Sequence, residues 1–311
     1  QVGDTGVLEF PNETIVVTDT KKEDGMIIHF TQALPENPEA PLHARVDTTK
    51  RMATAVHHSA THLLHAALRT VLGTHVAQKG SLVNDEYLRF DFSHFAKVTD
   101  EEVRRIETIV NAKIRENIPV VIKEMTKAEA DALGAMALFS EKYGSTVRVV
   151  IMDPAYSVEL CGGTHVGSTG QLGLFKITSE SATAAGVRRV EAVCGYAAEQ
   201  FVNSRLELIE AINNQLRGAK DPVKAIEKLQ EERNQLEKHA EALEARQLVG
   251  VRNELLTKDE IINQISFVGQ QVTVSSADAL KKLCHDLKNH LNDHVIVLGA
   301  NIDGKAFIAV G

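Results

Sequence analysis

The sequence predicts an α+β protein: a two-layer α/β sandwich, preceded by a partial β-barrel and followed by a helical hairpin and the start of a further α/β domain. Three observations point there. Helix-period segments alternate with short strand-like runs, which favours two layers with largely antiparallel strands. Capping-box signals open two helices, at Thr99-Asp-Glu-Glu102 and Thr126-Lys-Ala-Glu129. The row Ile226, Leu229, Arg233, Leu236, Ala240 and Leu243, apolar except at Arg233, is spaced alternately by three and four, as in a coiled-coil seam.

The elements follow in order. Residues 1–45 read as strands at Val7–Phe10, Thr14–Thr20 and Met26–Thr31, separated by Pro-Asn and Glu-Asp-Gly turns. The abrupt start suggests the remnant of a small barrel, and the Pro-rich stretch 35–41 reads as a linker. Residues 46–195 form the sandwich. A helix over 49–72 stops at Gly73, and the Thr99 box opens one that runs toward Asn117. Strands are expected at 87–92, 119–124, 146–152, 156–160, 171–179 and 187–194, with 78–81 left as loop. Residues 196–256 are helical, broken at Arg217–Asp221, with Pro222 suited to a first helical turn. Residues 257–311 contribute strand 265–273, helix 277–291 and strands 294–300 and 305–310, a unit that stops mid-pattern.

At 311 residues, 43% hydrophobic and 24% charged, the composition is that of a soluble globular chain. No apolar stretch reaches the ~18 residues of a spanning helix, and no signal peptide opens the chain, so no membrane role is expected. Three cysteines argue against a disulfide framework and for the cytoplasm; Cys194 and Cys284 read as small core residues. The net charge of −8 cuts against a nucleic-acid partner, although it does not locate charge. Arg188-Arg189, Lys50-Arg51 and Lys281-Lys282 are local basic clusters.

Two residue pairs carry the chemistry. His58 and His62 lie four apart in His-Ser-Ala-Thr-His, on one face of the first helix. Cys161 and His165 lie four apart in Cys-Gly-Gly-Thr-His, where the glycines favour a tight turn. Three imidazoles and a thiolate match a tetrahedral zinc site. A zinc peptidase is excluded, because Ser59, Ala60 and Thr61 stand where its general-base Glu would be. His57, His65 and His75 are rival ligands. His65, one turn further along, is expected to support the site from behind, and His57 points away. Four protein ligands close a tetrahedron, so either one is displaced by substrate or the metal only orients it.

The runs Val-His-His-Ser-Ala-Thr-His-Leu-Leu-His at 56–65 and Glu-Leu-Cys-Gly-Gly-Thr-His-Val at 159–166 resemble the two metal motifs of the editing domain of the alanyl-tRNA synthetase family. Gln-Lys-Gly-Ser at 78–81, Leu-Arg-Phe-Asp-Phe at 88–92 and Gly-Val-Arg-Arg-Val-Glu-Ala-Val at 186–193 sit where that family has similar runs. The resemblance covers essentially the whole chain. It implies one zinc at His58, His62, Cys161 and His165, and an amino-acid pocket lined by Thr61, Gln78 and Ser81, with Cys161 at the reacting centre. Gly162 and Gly163 would offer backbone N–H groups to an anion, and Arg188 and Arg189 would contact the RNA. The implied reaction is hydrolysis of seryl or glycyl esters from the 3′ end of alanine-specific tRNA. Ligation of alanine, with ATP and Mg2+, would belong to an aminoacylation domain, and no adenylation motif lies in these residues. A free-standing editing protein acting in trans, and a non-enzymatic RNA-binding module with structural zinc, are the alternatives. Self-association would run through the hairpin seam or the C-terminal domain.

Overall fold

A computed structural model of the protein describes residues 1–137 and 144–311. The chain divides into two compact units, Gln1–Ile209 and Glu210–Gly311.

The first unit opens with strands β1 (Gly6–Glu9), β2 (Thr14–Glu23), β3 (Met26–Thr31) and β4 (His43–Val46) in one antiparallel sheet ordered β3-β2-β1-β4. The Glu-Asp-Gly signal becomes the β2–β3 turn, with Asp24 and Gly25 both at positive φ, as a tight hairpin requires. Strand β4 follows the Pro-rich linker and carried no pattern of its own.

Helix α1 (Thr48–Leu72) starts where Asp47 accepts a hydrogen bond from Lys50 N–H. It ends at Gly73, whose φ of 116° suits glycine alone. Strands β5 (Gln78–Val83) and β6 (Leu88–Ser93) come next, then helix α2 (Asp100–Arg115) behind the Thr99–Glu102 capping box. Strand β7 (Val121–Thr126), helix α3 (Lys127–Ala132), and strands β8 (Thr146–Met152), β9 (Ser157–Leu160), β10 (Phe175–Ala184) and β11 (Val187–Cys194) follow. They form an antiparallel sheet ordered β10-β11-β6-β5 and a smaller one ordered β7-β8-β9. The larger sheet and helices α1 and α2 enclose a core around Leu63, Leu64, Leu68, Phe90, Phe92, Ile106 and Phe175, which is the two-layer arrangement expected.

Two local expectations change. The strand expected over 171–179 begins only at Phe175, because Thr169–Leu172 is a 3-10 turn closed by Gly173 at positive φ. Gln78 and Ser81 lie on β5, not in a loop. Gly80 sits at a bulge against β6, which absorbs the loop-like composition into the ladder.

Helix α4 (Tyr196–Gln215) ends in a turn with Arg217 and Gly218 at positive φ, and α5 (Pro222–Leu255) follows behind an Asp221 cap. The seam residues Leu229, Leu236 and Leu243 are 54%, 69% and 51% exposed, so the row read as hairpin packing is solvent-facing here. The second unit continues with β12 (Glu260–Ile262), β13 (Ile265–Gln271), α6 (Ala277–Lys288), β14 (His294–Ile302) and β15 (Lys305–Val310), the sheet running β12-β13-β14-β15. Strands β13 and β14 are parallel, with α6 as the crossover, over a core of Val268, Leu280, Leu283, Leu287, Ile296 and Leu298. Cys194 and Cys284 are buried core residues, as their apolar surroundings suggested. Among the described residues no helix is long and apolar enough to cross a membrane.

Candidate metal centre and adjoining cavity

His58 and His62 project from α1 toward the turn that follows β9. The ligand atoms of His58, His62, Cys161 and His165 all lie within 4.8 Å of one another. Cys161 Sγ is 3.4 Å from both His58 Nε2 and His165 Nε2. The far nitrogen of each ring is engaged elsewhere. His58 Nδ1 is 3.2 Å from the Thr164 carbonyl, and His165 Nδ1 is 3.0 Å from Ser59 Oγ. His62 Nδ1 lies 2.8 Å from Glu159 Oε2, an ion-pair contact outside hydrogen-bond geometry. A metal-binding histidine needs such an anchor for its outer nitrogen, so the donor set fits a tetrahedral zinc.

The electrostatics of Cys161 and His165 agree with that fit, whereas His62, held protonated by Glu159, would release its proton on binding a metal. Burial alone would raise the Cys161 thiol, but hydrogen bonds from His165, His58 and His62 hold it down at about 3, so the sulfur is a thiolate. Burial and the two neighbouring imidazoles push His165 below its ordinary value, against the pull of Cys161, which leaves it neutral and able to ligate. His62 and Glu159 are almost wholly buried. Burial opposes charge on each, but their mutual attraction wins, raising the imidazole and lowering the carboxyl. Glu159 also bonds His65 Nδ1 at 2.8 Å, so one carboxylate holds two turns of α1.

The rival histidines are committed elsewhere. His57 Nδ1 meets the Asn84 carbonyl at 3.0 Å, while its Nε2 accepts from Cys194 N–H at 3.1 Å. His75 Nε2 is 2.9 Å from His94 Nδ1 on an exposed edge. His65 stands behind His62 rather than beside Cys161.

A cavity of about 500 Å³ opens on the cluster. Thr61, Gln78, Ser81, Cys161, Gly162 and Gly163 all line it, together with Glu159 and Arg148. Thr61 Oγ1 donates back to the His57 carbonyl at 2.8 Å, and Gln78 Nε2 donates to Ser81 Oγ at 3.0 Å. Gly163 is required by crowding, since a Cβ there would fall 2.0 Å from His58 Cε1, whereas one on Gly162 meets nothing within 4 Å. Neither glycine's N–H finds an acceptor among the described residues. Arg188 and Arg189 are not in the lining. Arg188 forms a two-point pair with Glu180, and Arg189 one with Asp91 across the β11–β6 ladder.

Sequence reasoning gave no role to Ser59, Glu159 or Arg148. The available signals were a hydroxyl between two ligands, a carboxylate in a strand buried throughout, and a lone Arg inside Thr-Val-Arg-Val-Val-Ile-Met.

Residues 147–191, spanning β8 to most of β11, match the model of the threonyl and alanyl tRNA synthetase second additional domain. The chain carries that domain. It is 48% identical over its full length to the alanine–tRNA ligase of Cytophaga hutchinsonii, 45% over 99% of its length to that of Christiangramia forsetii, and 46% over its full length to that of Bacteroides thetaiotaomicron. Its whole length is thus similar to one part of these alanine–tRNA ligases, and it spans 35–36% of their length.

Proposed function

We propose that this cavity hydrolyses the ester joining a wrong amino acid, serine or glycine, to the 3′-terminal adenosine of alanine tRNA, with zinc held by His58, His62, Cys161 and His165. One observation carries the reading: His58, His62 and Cys161, three of the four clustered ligand residues, line the same cavity of about 500 Å³ as Thr61, Gln78 and Ser81. An alanine-selecting site rejects glycine and serine only weakly, by the ~1–3 kcal/mol of a small change in an apolar pocket, so a second sieve is needed. Hydroxyls and an amide suit recognition of a seryl OH. Zinc, when bound, supplies polarisation of the ester carbonyl or orientation of the seryl group.

The chain's own groups do the rest. The Cys161 thiolate and three Nε2 atoms hold the metal, and Thr164, Ser59 and Glu159 fix the rings. Gly162 and Gly163 offer N–H donors where the ester oxygen gains charge as water adds. The sugar oxygen leaves with a proton, releasing free amino acid and tRNA. Ligation is not assigned to these residues, which hold no adenylation motif. The partner is the acceptor end of alanine tRNA, met in the cytoplasm.

A structural zinc in an RNA-binding module is the second reading, favoured by a site already closed by four protein ligands. Deacylation of seryl-tRNA against alanyl-tRNA, both specific for alanine, separates them. Faster release of serine is expected. No release from either substrate at high protein concentration sinks the editing reading.

A further inference from the structure

A second cavity, of about 530 Å³, adjoins the first, and Arg148, Gly162 and Gly163 line both. Arg51 and Arg148 are the charged side chains in the lining of the second cavity, which contains no carboxylate. In a chain of net charge −8, a space lined by two guanidinium groups and no acid is a local reversal of sign. The two arginines are differently committed. Arg51 Nη1 holds Asp4 Oδ2 at 2.5 Å. Arg148 makes no ion pair among the described residues. Its Nη1 donates to the Cys161 carbonyl at 2.6 Å, and Cys161 N–H donates back to the Arg148 carbonyl at 3.1 Å. The guanidinium is thus fixed in position beside the metal cluster, with most of its donors unspent.

Such a group calls for an anion, and the substrate chemistry says which. In an aminoacyl ester the carboxyl of the amino acid is consumed in the bond and its α-amino group is cationic. The anions left near the ester are the phosphodiesters of the RNA. We propose that the cavity lined by Arg51 and Arg148 is the subsite for the phosphodiester backbone at the 3′ end of the RNA, with Arg148 making the contact next to the ester. The proposal rests on the ester-hydrolysis reading above. It also answers how an acidic protein holds a polyanion: by a small cationic recess at the site, not by a basic face.

Two measurements on the full chain test it. The first is binding of uncharged alanine tRNA across a salt series, for the unchanged protein and for Arg148→Ala, Arg148→Lys and Arg51→Ala. Loss of one phosphate contact should lower the slope of log K against log salt by about 0.7–0.9. Arg148→Lys, which keeps the charge, should retain the slope. The second is kcat/KM on seryl-tRNA against 3′-O-seryl adenosine, which has the ester and no phosphate. Arg148→Ala should lose about ten- to a hundredfold more on seryl-tRNA than on the nucleoside ester, the worth of one hydrogen bond to a charged group. Equal losses on both substrates would place Arg148 at the reacting ester or behind Cys161 and overturn the subsite. Unchanged slopes in both alanine variants would do the same. Zinc content is measured throughout, and Arg51→Ala, which does not touch Cys161, covers the case where Arg148→Ala loses its metal. If the unchanged protein hydrolyses neither ester, the editing reading fails while the salt slopes still decide the subsite.

Discussion

The two glycines between Cys161 and His165 differ sharply in what they tolerate. A methyl on Gly163 would collide with the His58 ring, whereas one on Gly162 enters open space. Gly163→Ala should therefore weaken zinc binding by tenfold or more, on the ~1–3 kcal/mol scale of overpacking, and Gly162→Ala should leave it nearly intact. Competition with a chromogenic chelator reads both. Removing Cys161 and His165 together should cut zinc from about one per chain to well under half; unchanged stoichiometry would remove the ligand assignment. Gln78→His is expected to erode discrimination between seryl and alanyl esters more than it lowers the melting temperature, because Gln78 touches the cavity rather than the core. The four clustered residues were legible in the sequence as candidate ligands because each pair is local, four residues apart. Glu159 was not, because its partners His62 and His65 lie more than ninety residues earlier and only the fold brings them together.

Among the elements, helix starts were the easiest to read and β5 the hardest. A capping box is a four-residue signal with a fixed geometry, and both boxes form as spelled. Thr99→Ala should cost about 1 kcal/mol of unfolding free energy, because α2 anchors Ile106 and Val110 in the core; a denaturant titration measures it. Gln-Lys-Gly-Ser lacks strand composition, and its pairing with β6 is set by the neighbouring strand rather than by its own residues. Arg189 likewise read as a free basic residue until the β11–β6 register placed it opposite Asp91. The Arg189 hydrogen bonds hold the Asp91 carboxyl below its ordinary value, against the opposing effect of burial. A lowered folded-state pKa stabilises above the unfolded value and is lost as pH falls through the folded one. Asp91→Asn should then lower the melting temperature at pH 7, with the difference closing in acid. A difference that stays constant with pH would mean that the ion pair contributes nothing.

Among the described residues, the unit Gln1–Ile209 holds a core around Phe90 and Phe92 and a smaller one around Val149 and Leu160, and the unit Glu210–Gly311 holds one around Leu283 and Ile296. All four candidate ligands belong to the first unit. Calorimetry should therefore resolve two transitions. A chelator should lower the one belonging to Gln1–Ile209 and leave the other in place, since stabilisation by a ligand is confined to the unit that binds it. A shift of both would show that the units do not unfold independently. Composition foresaw a folded multidomain chain, but the bulk charge of −8 gave no hint of the recess between Arg51 and Arg148. A sum over all residues cannot report a local field.

The separation between the two halves of the metal cluster also sets a schedule for biosynthesis. His58 precedes Cys161 by 103 positions. At roughly 5–20 residues per second, a nascent chain carries a bare histidine pair for about 5–20 seconds before the ribosome adds Cys161 and then His165. During that interval α1 presents two imidazoles and no thiolate, a half-site that holds zinc weakly and discriminates poorly among divalent ions. On the proposed ligand set, metallation would therefore be a late event, joining α1 to the turn after β9 only once β8 and β9 have been made.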